Sequence, residues 1–163
     1  MLVVLKFAPL RKLAVIKGVI ITPLSVLSNN RGSVMHMLRS DDKIFSEFGE
    51  IYFSTVNPGC VKGWHCHSNI IQNFAVPNGI AHFALFDDRE NSISKGRVQQ
   101  CKLGANNYVL LTVPPGIWYG FGALDNKPAL VANCISKPFD PSETTKKNLF
   151  DPSIPFKWKT ALD

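Results

Sequence analysis

Gly59-Cys60-Val61-Lys62-Gly63-Trp64-His65-Cys66-His67-Ser68-Asn69-Ile70-Ile71-Gln72 is the stretch on which the reading of this chain turns. Alternation along an extended strand puts His65 and His67 on one face and Cys66 on the other. Pro77-Asn78-Gly79 follows, a turn signal that sends the chain back antiparallel. The same rhythm extends in both directions. Short apolar runs of period near two predict strands at Val19–Leu27, Ser33–Leu38, Gly49–Val56, Val61–His67, Ile70–Val76, Ile80–Asp87, Arg97–Lys102, Tyr108–Val113, Trp118–Ala123 and Ala129–Ser136. Turn clusters such as Asn57-Pro58-Gly59, Pro114-Pro115-Gly116 and Asp125-Asn126-Lys127-Pro128 punctuate them. Many short strands at this spacing predict an all-β sandwich or barrel. Asp41 to Phe48 reads as one or two helical turns, capped by Ser40 or Asp41.

With 163 residues, 45% of them apolar and 18% charged, the chain suits one globular domain, residues 1–163, with no internal repeat or linker. No run reaches the roughly 18 uncharged apolar residues of a membrane helix. Met1 to Ile21 is apolar but interrupted by Lys6, Arg11, Lys12 and Lys17, and it lacks the order of a signal peptide. It reads as a terminal segment, an edge strand that docks on a partner. Cys60, Cys66, Cys101 and Cys134 form no C-x-x-C pair, so free thiols in a reducing cytoplasm are expected. The net charge of +6 suits an anionic ligand. Its basic residues are scattered and no nucleic-acid-binding pattern appears, so neither nucleic acid nor membrane is an expected partner. Lys146-Lys147 reads as a solvated turn. The tail from Pro138, residues 138–163, is expected to pack back on the domain.

A second segment, Pro114-Pro115-Gly116-Ile117-Trp118-Tyr119-Gly120-Phe121, has the form of a turn entering a strand. The two segments resemble the two motifs of the cupin superfamily. Gly59, His65, His67, Gln72 and Gly79 match the spacing of the first, with Gln72 where a Glu is usual. Pro114, Gly116 and Tyr119 match the second, with Tyr119 where a His is usual. The resemblance implies a cupin jelly-roll, the double-stranded β-helix barrel. It also opens a metal reading, in which His65, His67, Gln72 and Tyr119 take the ligand positions. Gln and a protonated Tyr are poor substitutes for carboxylate and imidazole, so no metal is expected.

From about Gly18 to Trp158 the chain is similar to one cupin family, the dTDP-4-dehydrorhamnose 3,5-epimerases. The likeness rests on Arg31-Gly32, Lys62-Gly63-Trp64-His65, Asp87-Asp88-Arg89 with Ser92 and Gly96, the Pro114–Phe121 segment, and Asp151-Pro152 with Ile154 and Trp158. It implies proton abstraction next to the ketone of a nucleotide-linked 4-keto-6-deoxyhexose, with no metal or redox cofactor. It further implies a His65–Asp151 base dyad, diphosphate contacts from Arg31 and Lys62, a pocket completed by His67, Gln72 and Trp118, and a homodimer whose N-terminal strands pair with the partner. General chemistry agrees, since a carboxylate-oriented imidazole is a good base near neutral pH.

The chain also departs from the family. The family's proton-donating Tyr falls near Ala132, so Tyr119 is the nearest replacement donor. The family's enolate-stabilising Lys falls near Gln72. The residues that contact the base fall near Val34 and His36, so thymidine is not assured. These losses leave inversion at one carbon, or a related keto-sugar isomerisation, within the reading. They also leave open a non-catalytic sugar-nucleotide-binding cupin, or a metal-dependent cupin enzyme.

Overall fold

The computed structural model describes residues 3–4 and 16–159. The rest of the N-terminal segment read as a docking strand lies outside the described residues. In chain order the strands are β1 Val3–Val4, β2 Ile20–Pro23, β3 Val26–Asn29, β4 Gly32–Met35, β5 Glu50–Val56, β6 Val61–His67, β7 Gln72–Asn78, β8 Ile80–Asp87, β9 Val98–Gly104, β10 Val109–Val113, β11 Ile117–Ala123, β12 Ala129–Ile135 and β13 Thr144–Lys146. A 3₁₀ turn, Pro141–Glu143, precedes β13. No described helix is long and apolar enough to cross a membrane.

Two five-stranded antiparallel sheets carry the fold, ordered β2-β10-β7-β12-β5 and β13-β6-β11-β8-β9. The strands alternate, and the alternation sorts the apolar residues into two layers. Phe74, Val76, Leu111, Val113 and Val131 of the first sheet meet Phe83, Leu85, Leu103, Ile117 and Phe121 of the second in one buried core. The residues between them on the second sheet, Trp64, Ala84, Phe86 and Trp118, point the other way. That outer face would be an exposed apolar patch without the C-terminal segment, whose Ile154 and Trp158 cover it. Gly120 makes the cover fit, because a Cβ there would stand 2.9 Å from Cζ2 of Trp158. The architecture is an all-β jelly roll, with the sheets facing one another.

β6 and β8 have the bounds expected from the sequence, and they meet β11 on either side. The turn between β7 and β8 is tight because Gly79 takes φ +75°, a conformation other residues adopt at a cost. Two expectations fail. Val19–Leu27 is not one strand: β2 pairs with β10, while β3 pairs with β1 and β4 in a separate three-stranded sheet. The chain changes sheets at Leu24-Ser25, just after Pro23, which has no N–H to continue a ladder. Asp41 to Phe48 forms turns rather than a helix. Asp42 spends its carboxylate on the Arg39 N–H (2.7 Å), a local bond that competes with helix formation.

Candidate active site

A cavity of about 160 Å³ opens between the two sheets. His65, His67 and Lys62 of β6, Tyr119 of β11 and Lys146 of β13 form one wall, while Tyr52 and Ser54 of β5 and Asn133 of β12 form the opposite one. Register explains the first wall, for Tyr119 lies across from His65 on β11 and Lys146 across from it on β13. A larger hollow of about 630 Å³ lies between β2, β3 and the Met37–Ile44 turns, and none of the predicted site residues lines it.

The two histidines differ in what holds them. His67 is 6% exposed and fully engaged. Its Nδ1 lies 3.1 Å from Glu143 Oε2, and its Nε2 lies 3.0 Å from the Tyr119 hydroxyl. An ionised carboxylate can only accept, so Nδ1 carries the proton and Nε2 accepts the Tyr119 O–H. Glu143 is fixed in turn by the Asn69 N–H. His65 is half-buried, and no protein group among the described residues hydrogen-bonds its ring. Burial, then the Lys146 ammonium, then His67 push its imidazolium below the usual histidine range, so the neutral base is favoured. Tyr119 is raised well above the usual phenol range, by burial first.

The opposite wall is a polar network. Asn133 Nδ2 donates to the Tyr52 hydroxyl at 2.8 Å and to Gln72 Oε1 at 2.6 Å. Gln72 is 1% exposed and stands behind Asn133, and its Nε2 has no partner among the described residues. Burial raises the Tyr52 phenol, so it stays protonated at neutral pH.

Of the predicted site residues, the structure brings together His65, His67, Tyr119 and Lys62, with Gln72 one layer back. It does not bring Asp151 to His65. Asp151 caps its own turn, accepting from the Ser153 N–H at 2.9 Å and the Ser153 hydroxyl at 2.5 Å, and it lines a separate hollow with the tail. The carboxylate-oriented histidine is His67, held by Glu143. Trp118 is not in the cavity either. Its neighbour Tyr119 faces inward, so Trp118 faces out, into the Trp64–Trp158 layer beneath Lys147. Arg31 sits at the exposed tip of the β3–β4 hairpin, outside this cavity. Lys146-Lys147 is not a free turn. Lys146 lies in β13 at the cavity mouth, and Lys147 exchanges both backbone hydrogen bonds with Trp64 (3.1 and 3.2 Å). Among the described residues no three His, Cys, Asp or Glu side chains gather where they could hold a metal ion. Burial first pushes the Cys66 thiol up to about 11, which disfavours the thiolate a nucleophile needs.

Comparison with known proteins gives the family. The family model for dTDP-4-dehydrorhamnose 3,5-epimerase matches residues 14–163. The chain belongs to that family. It is an isomerase of the carbohydrate-epimerase kind, on a cupin jelly roll. A dTDP sugar isomerase from Desulfovibrio desulfuricans is 46% identical, with 88% of this chain and 92% of that chain covered and a TM-score of 0.87. A probable low-salt glycan biosynthesis epimerase, Agl13 of Haloferax volcanii, is 31% identical over 77% of this chain and 81% of its own length. The spore coat polysaccharide biosynthesis protein SpsL of Bacillus subtilis is 29% identical over 89% of this chain and 97% of its own.

Tyr52, Ser54, Asn133 and Lys146 of this epimerase's cavity, and Glu143 behind His67, escaped the sequence reading. For Tyr52 and Ser54 a signal existed, the period-two pattern Glu50, Tyr52, Ser54, Val56, which puts them on the core-facing side. Glu143 and Lys146 had none, because they belong to a tail whose path is set by tertiary packing.

Proposed function

We propose that this epimerase acts on a nucleotide-linked 4-keto-6-deoxyhexose, and that His65 removes the proton from a carbon next to the ketone. The observation that carries the assignment is the contrast between the two cavity histidines. His67 has both ring nitrogens occupied, whereas the His65 ring, whose charged form is disfavoured by burial and by Lys146, has no protein partner among the described residues. Removal of the α-proton moves an electron pair onto the ketone oxygen. The Lys62 and Lys146 ammonium groups at the mouth supply positive charge for the enolate and the diphosphate. Tyr119, whose hydrogen goes to His67, offers oxygen lone pairs to the sugar. Gln72 acts through Asn133. Asp151 has no part in the step, so His65 works without a carboxylate partner.

The same reading places the enzyme in the cytoplasm, in deoxysugar and lipopolysaccharide or related glycan biosynthesis, with residues 1–163 as one domain. It takes the working form as a homodimer without nucleic acid.

The test is inversion of such a sugar nucleotide, followed by NMR across pH. His65 must be neutral to accept a proton. Its imidazolium is destabilised, so kcat/KM should fall on the acid side with a midpoint below the ordinary histidine pKa of about 6.5. Lys146→Met removes a positive neighbour and should move that midpoint up. A midpoint that ignores Lys146, or a protein that inverts nothing, counts against the proposal.

A further inference from the structure

Epimerisation needs two groups, since the proton leaves one face of the carbon and must return on the other. A base with no acid opposite it exchanges protons but does not invert. His65, His67 and Tyr119 all stand on the same sheet, so none of them faces another across the cavity. The opposite wall offers Tyr52 on β5.

We infer that Tyr52 is the proton donor that completes inversion, a role that rests on the proposed reading of His65. Three features support it. Tyr52 lies in register with Asn133, and the Asn133 Nδ2 donates to its oxygen at 2.8 Å. That bond occupies a lone pair and leaves the phenolic hydrogen without a protein acceptor among the described residues. Tyr119 is the reverse case, because its hydrogen is committed to His67 Nε2 at 3.0 Å. Lastly, Tyr52 is half-buried within β5, a strand held by seven register pairs to β12, so the ring is placed by the sheet rather than by a loop.

The steps balance. His65 takes the α-hydrogen as a proton, and the C–H electron pair forms the enolate. The enolate collapses to the ketone as its carbon takes the proton of the Tyr52 O–H from the other face. The resulting phenolate is held by the Asn133 N–H until it regains a proton from water, while the His65 imidazolium returns its own to solvent.

The experiment is Tyr52→Phe beside Tyr119→Phe and the wild type, with a nucleotide 4-keto-6-deoxy sugar in heavy water. Deuterium uptake at the α-carbon and net inversion are read separately. Tyr52→Phe should retain uptake and lose inversion by roughly 100-fold or more. Tyr119→Phe should not separate the two rates. Equal inversion by Tyr52→Phe and wild type overturns the Tyr52 role while leaving His65 as base. Equal loss of uptake and inversion in Tyr52→Phe also overturns it. A wild type with neither uptake nor inversion overturns the parent reading, and this one with it.

Discussion

His65→Gln is expected to lower both inversion and α-proton exchange by roughly 100- to 10,000-fold, the usual contribution of a positioned general base. Ligand affinity should change little. Gln has similar reach and can hydrogen-bond at the cavity wall, but its amide cannot take a proton near neutral pH. The second cavity histidine cannot substitute, because Glu143 and Tyr119 occupy its two nitrogens. Steady-state inversion, deuterium exchange and calorimetric binding separate the outcomes. Loss of binding along with exchange would make His65 a wall residue instead of a base. Undiminished exchange would remove it from the chemistry.

Arg89→Ala is expected to destabilise the fold by roughly 3 kcal/mol, near the low end for breaking a buried ion pair. Asp87 ends β8 with its side chain fully buried and paired to Arg89 Nε at 2.9 Å. The Arg89 guanidinium also donates to the Lys17 carbonyl at 2.7 Å, tying the start of the 16–159 segment to this corner. The Ser92 hydroxyl (2.5 Å) and Ser94 hydroxyl (2.6 Å) would remain as donors to Asp87, so the stranded carboxylate is partly solvated. Burial alone would raise the Asp87 carboxyl. The bonds from Arg89, Ser92 and Ser94 outweigh it and hold the group well below the usual carboxylate range. A depressed carboxylate stabilises the fold above its unfolded pKa of about 3.9, and that stability is lost as pH falls through the folded value. Without Arg89 the folded value rises, so acid unfolding should begin at higher pH. Urea midpoints against pH measure both effects, and an unchanged acid limb would mean that the serines alone hold Asp87.

The sheets were legible because alternation and turns are local. Val61–His67 and Ile80–Asp87 announce themselves by period two and are bounded by Pro-Gly or Asn-Gly. The same alternation, applied strictly, separates Tyr119 from Trp118. Motif position puts Trp118 in the pocket, whereas the pleat turns it outward. Motif position likewise puts Asp151 beside His65. Its own Ser153 hydroxyl and N–H satisfy it locally, which no spacing rule weighs against a partner far away in sequence. Glu143 is the converse. A Glu in a Pro-rich tail carries no sequence signal, yet pairing of β13 with β6 delivers it to His67. The cavity's strand residues were therefore readable in part, while its tail residues depended on packing of the Ile154–Trp158 segment against the outer layer.

Solvent deuterium uptake tests the central claim most directly. The wild-type protein would be incubated in heavy water with a panel of nucleotide 4-keto-6-deoxy sugars and read by mass and NMR. Label at C3, C5 or both, lost in His65→Gln, is the predicted result. No label on any sugar that binds would contradict the account and make the cavity a sugar-nucleotide-binding site without catalysis.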